Sequence, residues 1–237
     1  MLYKRNTCSA HTWIYTLQLP TVWGTLSKTL YWERHLPCFP CHVFPPFVRT
    51  FNFSRRSLCF VAADLWTGGM ETTVTTMRWA LIYMIYHPSV QLRCQKELDK
   101  VFGPEPSVYS RKSETPYVMA TIAEVQRISN VLPWAIPHRT MNDVFIDGYF
   151  IPKGTEIMPQ YGCILHDPNL FPNPDQFLPE RFLDTDGAYR PRVELKPFGF
   201  GARVCLGEFL AKCELYLIFT TLLQKFTFTA IGKRSMQ

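Results

Sequence analysis

From Leu58 to Tyr86 the sequence is one long, mostly apolar run that ends at His87-Pro88, where the proline disfavours helix in the residue before it. A continuous helix over that run is about 44 Å long at 1.5 Å per residue, so the other elements have to be arranged around it. A second helix opens at Pro88 and runs through SVQLRCQKELDKVF to Gly103, a residue suited to a C-cap. A third covers Met119 to Asn130, MATIAEVQRISN. The pattern then changes. DVFIDGYFIPKGTEI alternates and breaks at Gly148 and Gly154, which predicts short antiparallel strands. HDPNLFPNPDQFLPERF carries Pro168, Pro172, Pro174 and Pro179 and predicts an ordered coil, a meander too broken for helix or sheet. The last helix spans about Leu206 to Phe226, with apolar residues on more than one face, and is expected to be buried. The fold class is mainly α with small β elements.

Residues 1–54 differ from this. They hold one acid, Glu33, three tryptophans and prolines at 20, 37, 40, 45 and 46, without a sustained helical or strand period. They read as a poorly specified extension ahead of a domain over residues 55–237. Asn6 to Ser27 is the best candidate for a membrane segment, yet Asn6, His11, Gln18, Pro20 and Gly24 interrupt it and argue against an anchor.

Hydrophobic residues make up 47% of the chain, ample for a globular core. The net charge of +6 is spread without a basic block, which gives nucleic-acid binding no support. Eight scattered cysteines do not form the regular framework of a small secreted domain, and most are expected to be small buried hydrophobes. Cys38 and Cys41 form a CxxC near His35 and His42, but no second CxxC follows to complete a zinc site.

Four stretches can carry chemistry. In FGFGARVCLG, Phe198 to Gly207, a cysteine at the mouth of a helix sits among unsatisfied N–H groups at the positive end of the macrodipole, which favours the thiolate. Cys205 is therefore a ligand or nucleophile candidate, against the plain reading of a structural cysteine. Gly201 and Gly207 permit tight turns and close approach of the backbone to something flat or bulky. In GGMETT, Gly68 and Gly69 cost about 1 kcal/mol each in a helix, and Glu71 and Thr72 follow at once. A cleared space beside a proton donor and a hydroxyl relay is one reading; close helix packing is the other. In EVQR, Glu124 and Arg127 lie three apart on one helix face and by themselves read as a surface ion pair. His138 in IPHRT reads by itself as a loop or core histidine.

The order of residues in FGFGARVCLG resembles the haem-binding loop of the cytochrome P-450 family at Phe198, Gly201, Arg203, Cys205 and Gly207. EVQR, LPERF and GGMETT follow the family's order along the chain, and DLW, HP, IPKGT and FLPERF are most like its microsomal animal branch. The resemblance covers about Leu58 to Phe226. It implies the carboxy-terminal, haem-ligating part of that fold, with haem b as cofactor and Cys205 as the thiolate ligand to iron. Arg203 and His138 would pair with haem propionates, and Phe198 would pack against the ring. Glu124, Arg127 and Arg181 would form a buried structural triad. Gly68 and Gly69 would lie over the haem at the family's oxygen-binding kink, with Glu71 and Thr72 delivering protons to dioxygen, and Val131 to Ile136 would line the substrate space. The implied activity is monooxygenation of a small apolar substrate, with electrons from a flavin-containing reductase, since no GxGxxG fingerprint occurs here. The implied location is the endoplasmic reticulum membrane. On this resemblance the 237 residues are expected to lack the first half of the family's domain, with the roof of the distal pocket and the anchor, and its final hairpin. Two other readings stay open: a non-catalytic haem-binding or inert remnant, and a haem-thiolate isomerase, against which the intact Glu71-Thr72 pair argues.

Overall fold

The computed structural model describes residues 54–231 and the backbone of residues 2–4. The CxxC near His35 and the Asn6–Ser27 stretch lie outside the described residues. The chain divides into two compact units, Tyr15–Gly68 and the remainder. Within the first, the described residues are the start of helix α1 (Arg55–Tyr86). Ser54 caps it: the Ser57 N–H donates to Ser54 Oγ at 3.0 Å, so the helix begins three residues ahead of the apolar run that announces it. In this part Leu58, Phe60, Leu65 and Trp66 are exposed.

In the second unit the end of α1 meets α2 (Pro88–Phe102), α3 (Pro116–Ser129) and α5 (Glu208–Lys225) in one core. Tyr83 and Met84 of α1, Cys94, Leu98 and Phe102 of α2, Val118 and Val125 of α3, and Tyr216, Phe219 and Leu223 of α5 are buried there. Helix α2 ends as its sequence predicts, at Gly103 with φ +57°. Its inner stripe contains two amides. Gln91 pairs with Phe228 like a peptide, donating to the carbonyl at 3.0 Å and accepting its N–H at 2.7 Å. Gln95 donates to the carbonyls of Leu223 and Phe226 at 3.1 and 2.9 Å. The open carbonyls at the end of α5 are thereby satisfied inside the core. Strand β6 (Phe226–Phe228) continues from α5 and pairs antiparallel with β1 (Leu2–Lys4).

Helix α3 starts earlier than its apolar pattern shows, because its cap comes from another helix. The Thr115 side chain ahead of it is occupied by the Lys112 carbonyl and the Tyr216 hydroxyl. Glu97 of α2 supplies the acceptors, taking the N–H groups of Tyr117 and Val118 at 3.0 and 2.8 Å. Burial pushes the Glu97 carboxyl above its usual range, and those two hydrogen bonds pull against the shift. Glu97→Ala is expected to lower the urea midpoint by the worth of a helix cap, about 1 kcal/mol. Glu97→Gln, which keeps one acceptor, should fall between. An unchanged midpoint in the alanine variant would show that water caps α3 equally well.

Short strands follow. β2 (His138–Arg139) pairs with β5 (Glu156–Ile157), and β3 (Val144–Ile146) with β4 (Tyr149–Ile151). Asp147 and Gly148 join the second pair with φ +50° and +82°, the positive values a two-residue hairpin requires. Helix α4 (Tyr161–Leu165) is a single turn ahead of the proline-rich coil, which itself holds a 3-10 turn at Pro179–Phe182.

Two expectations need correction. Helix α5 is buried on one side only: Leu215, Tyr216, Phe219 and Leu223 are covered, whereas Phe209, Leu210, Leu217 and Ile218 are exposed. Of the five described cysteines Cys94 alone is buried; Cys213 is half-buried, and Cys59, Cys163 and Cys205 are exposed.

Candidate functional site

Glu124 and Arg127 are not a surface pair. Both side chains are fully buried, and Arg127 binds Glu124 with two prongs, Nε to Oε2 at 2.7 Å and Nη2 to Oε1 at 2.9 Å. Arg181 Nε reaches the same carboxylate at 3.0 Å, and the Leu178 N–H adds a fourth bond at 2.9 Å. Other guanidinium N–H groups of the two arginines go to backbone carbonyls. Arg127 donates to Leu165 at 2.8 Å and Pro174 at 2.7 Å; Arg181 donates to Pro172 at 2.9 Å, Asn173 at 3.2 Å and Gln176 at 3.1 Å. A coil rich in proline lacks donors for a ladder but keeps carbonyls that need partners. These two arginines supply them, and so order the segment before Phe182.

That coil leads into FGFGARVCLG. Gly199 and Gly201 have φ of +77° and +72°, and the Gly199 N–H donates to Lys196 at 3.0 Å. The Cys205 N–H donates to the Phe198 carbonyl at 2.9 Å and closes the loop. The tight-turn expectation holds for Gly201. Gly207, the residue before α5, lies in a turn closed by the Glu208 N–H donating to the Cys205 carbonyl at 3.3 Å, and its φ of −91° is one that residues other than glycine also adopt. Among the described residues no atom lies within 4 Å of a Cβ built on Gly201 or Gly207. Cys205 and Arg203 are exposed, and so are the apolar neighbours Phe200, Val204, Leu206 and Phe209, with Leu206 at 92%. Phe198 is half-buried beneath the Lys212 ammonium, which lies 5.6 Å from its ring centre.

In α1, Gly69 has no atom of the described residues within 4 Å of a built Cβ; Gly68 is the last residue of the smaller unit and shares that openness. Glu71 is exposed and Thr72 half-buried, and the Thr72 carbonyl accepts the Thr76 hydroxyl at 2.8 Å. The helix is unbroken through these residues. His138 is exposed on β2, opposite Ile157, and Trp134 and Ile136 are exposed ahead of it. The structure thus joins the three triad residues by direct bonds and Phe198 to Cys205 through the backbone. Residues that motif reading missed are Gly199, signalled by the FGFG spacing, and Tyr161, whose hydroxyl lies 3.2 Å from the position of a Cβ on Gly199.

A family profile described as Cytochrome P450 matches residues 50–237. The chain belongs to the cytochrome P450 family. It is 54% identical to 3-ketosteroid oxygenase of Caenorhabditis elegans over 75% of its length and 31% of that protein's. It is 45% identical to cytochrome P450 2U1 of Rattus norvegicus and 42% identical to cytochrome P450 2D15 of Canis lupus familiaris, each over 75% of its own length and 34% and 36% of theirs. The chain therefore spans about a third of the length of these curated relatives. The architecture, mainly helical with small strand elements, is that of a partial P450 fold, and the cofactor of the P450 family is haem b.

The residues present fit that group. Among the described residues no cluster of three or more His, Cys, Asp or Glu side chains could enclose a bare metal ion. The loop offers one sulfur, that of Cys205, which is exposed, and a soft thiolate would suit iron. The apolar side chains and open glycines around Cys205 suit a flat apolar ring.

Proposed function

We propose that this P450 is a haem-thiolate monooxygenase acting on a small apolar organic substrate. The observation that carries the reading is the Cys205 loop, closed by the Cys205–Phe198 backbone bond and set among exposed apolar side chains and unfilled glycines. Cys205 would ligate the iron, Arg203 and His138 would pair with the propionates, and Phe198 would pack beside the sulfur. Haem ligated in this way supplies oxygen activation, because thiolate donation favours O–O cleavage. Gly69 leaves room on α1, and Glu71 and Thr72 hold and move protons beside it. Electrons come from a flavin-containing reductase, and the site of action is the endoplasmic reticulum membrane. Among the described residues no helix is long and apolar enough to cross a membrane. The name of the Caenorhabditis elegans relative points to a rigid, apolar ketosteroid as one substrate class within this reading.

The test is haem reconstitution of the 237-residue chain followed by the spectrum of its reduced carbon monoxide complex. A red-shifted thiolate band supports the reading, and a spectrum without it overturns it. The proton role is tested in a fusion that restores the full length of a relative. There Thr72→Ala is expected to keep the thiolate spectrum while electrons go to released peroxide instead of product. Unchanged coupling of electron use to product would leave Thr72 a helix residue only.

A further inference from the structure

The thiolate loop needs support from outside itself, because its own hydrogen bonds set its shape but not its place. Helix α4 reaches it. The Tyr161 hydroxyl stands 3.2 Å from where a Cβ on Gly199 would be, and the Tyr161 ring meets Phe200 edge-on at 6.3 Å and 62°. Gly199 is thus held to glycine twice over, by φ +77° and by this approach. The base of Tyr161 is itself pinned. Arg127 of the buried triad donates to the carbonyl of Leu165, the last residue of α4, at 2.8 Å. The Gly162 N–H donates to Pro133 at 3.0 Å, and a Cβ on Gly162 would meet the Asn130 side chain at 3.0 Å, so α4 sits directly on the segment that follows α3.

We infer that Tyr161 is a positioning residue for the Cys205 thiolate, carrying the fixed geometry of the Glu124–Arg127 pair through α4 to the Gly199–Phe200 turn. Phe198 precedes that turn and accepts the Cys205 N–H, so a shift of Gly199 moves the backbone that aims the sulfur. The inference rests on reading Cys205 as the iron ligand.

Hydrogen exchange of the full chain tests it without haem, by following the loop amides of Gly199 and Cys205. Tyr161→Ala is expected to speed their exchange about two- to tenfold, the worth of an aromatic contact. Tyr161→Phe, which keeps the ring, should restore most of the protection, and the α2 amides should not change. In the haem-loaded protein the alanine variant should show a mixture of thiolate and non-thiolate carbon monoxide spectra, and the phenylalanine variant a nearly pure thiolate one. Unchanged loop exchange in Tyr161→Ala would overturn the inference, as would an equal rise in α2, which marks general loosening of the fold. Cys205→Ser, read by the same spectra, separates the two levels: a thiolate band that survives it removes the ligand reading, whereas altered exchange in the Tyr161 variants tests the support of the loop alone.

Discussion

Cys205→Ser is expected to abolish the red-shifted carbon monoxide band completely, while Cys213→Ser leaves it unchanged. Serine is nearly isosteric and keeps the Cys205 N–H bond to Phe198, so the loop can retain its shape while losing the soft, readily ionised ligand. The other cysteines make good internal comparisons because their surroundings differ. Cys94 is buried against Thr121 at 3.3 Å, and desolvation pushes its thiol up to about 12, which leaves it an inert core side chain. Cys213 lies half-buried within α5, beyond the loop that the glycines shape. Reduced carbon monoxide spectra of the two serine variants, with retained haem measured after gel filtration, decide the matter. Equal loss from both would remove Cys205 from its assigned role.

What could be read beforehand was whatever the chain encodes locally. Pro88 and Gly103 bracket α2 to the residue, and the Asp147-Gly148 turn lies where the alternating run breaks. The errors fall where a distant segment completes a local feature. The start of α3 was invisible because its cap, Glu97, sits on another helix. Gln91 and Gln95 look like surface residues of α2 until their amides are seen closing the carbonyls beyond α5. Apolar residues on more than one face of α5 predicted burial, but a hydrophobic pattern states what a face prefers, not that these residues cover it. The site divides in the same way. Motif order marked Cys205 and Arg203 as candidates and picked out the triad residues that the structure joins by direct bonds, since their neighbours in sequence carry the pattern. Tyr161 has no motif; its part is visible only through its approach to Gly199.

The largest loss of stability is expected from Glu124→Gln. The substitution keeps size and shape but removes the one negative charge that faces two guanidinium groups, Arg127 fully buried and Arg181 with a side chain only 7% exposed. Breaking a buried pair by neutralising one partner costs about 3–5 kcal/mol, because the desolvated charge left behind has no counterion. That is a large part of the roughly 5–15 kcal/mol that holds a domain together. The damage should begin in the coil: Arg127 and Arg181 together hold the carbonyls of Pro172, Asn173, Pro174 and Gln176, so guanidiniums that shift in search of water release that segment first. Arg190→Ala is the contrasting case. Arg190 also pairs with an acid, Asp184 at 3.0 Å, but its side chain is 74% exposed, and such a pair contributes at most about 1 kcal/mol. Urea unfolding of the two variants, combined with limited proteolysis between Asp167 and Phe182, should show a large midpoint drop with early cleavage for Glu124→Gln and neither for Arg190→Ala. Similar small shifts in both would mean that the triad is redundant with the packing of Phe171 and Phe182 around it, and that the proline-rich coil holds its shape without the two arginines.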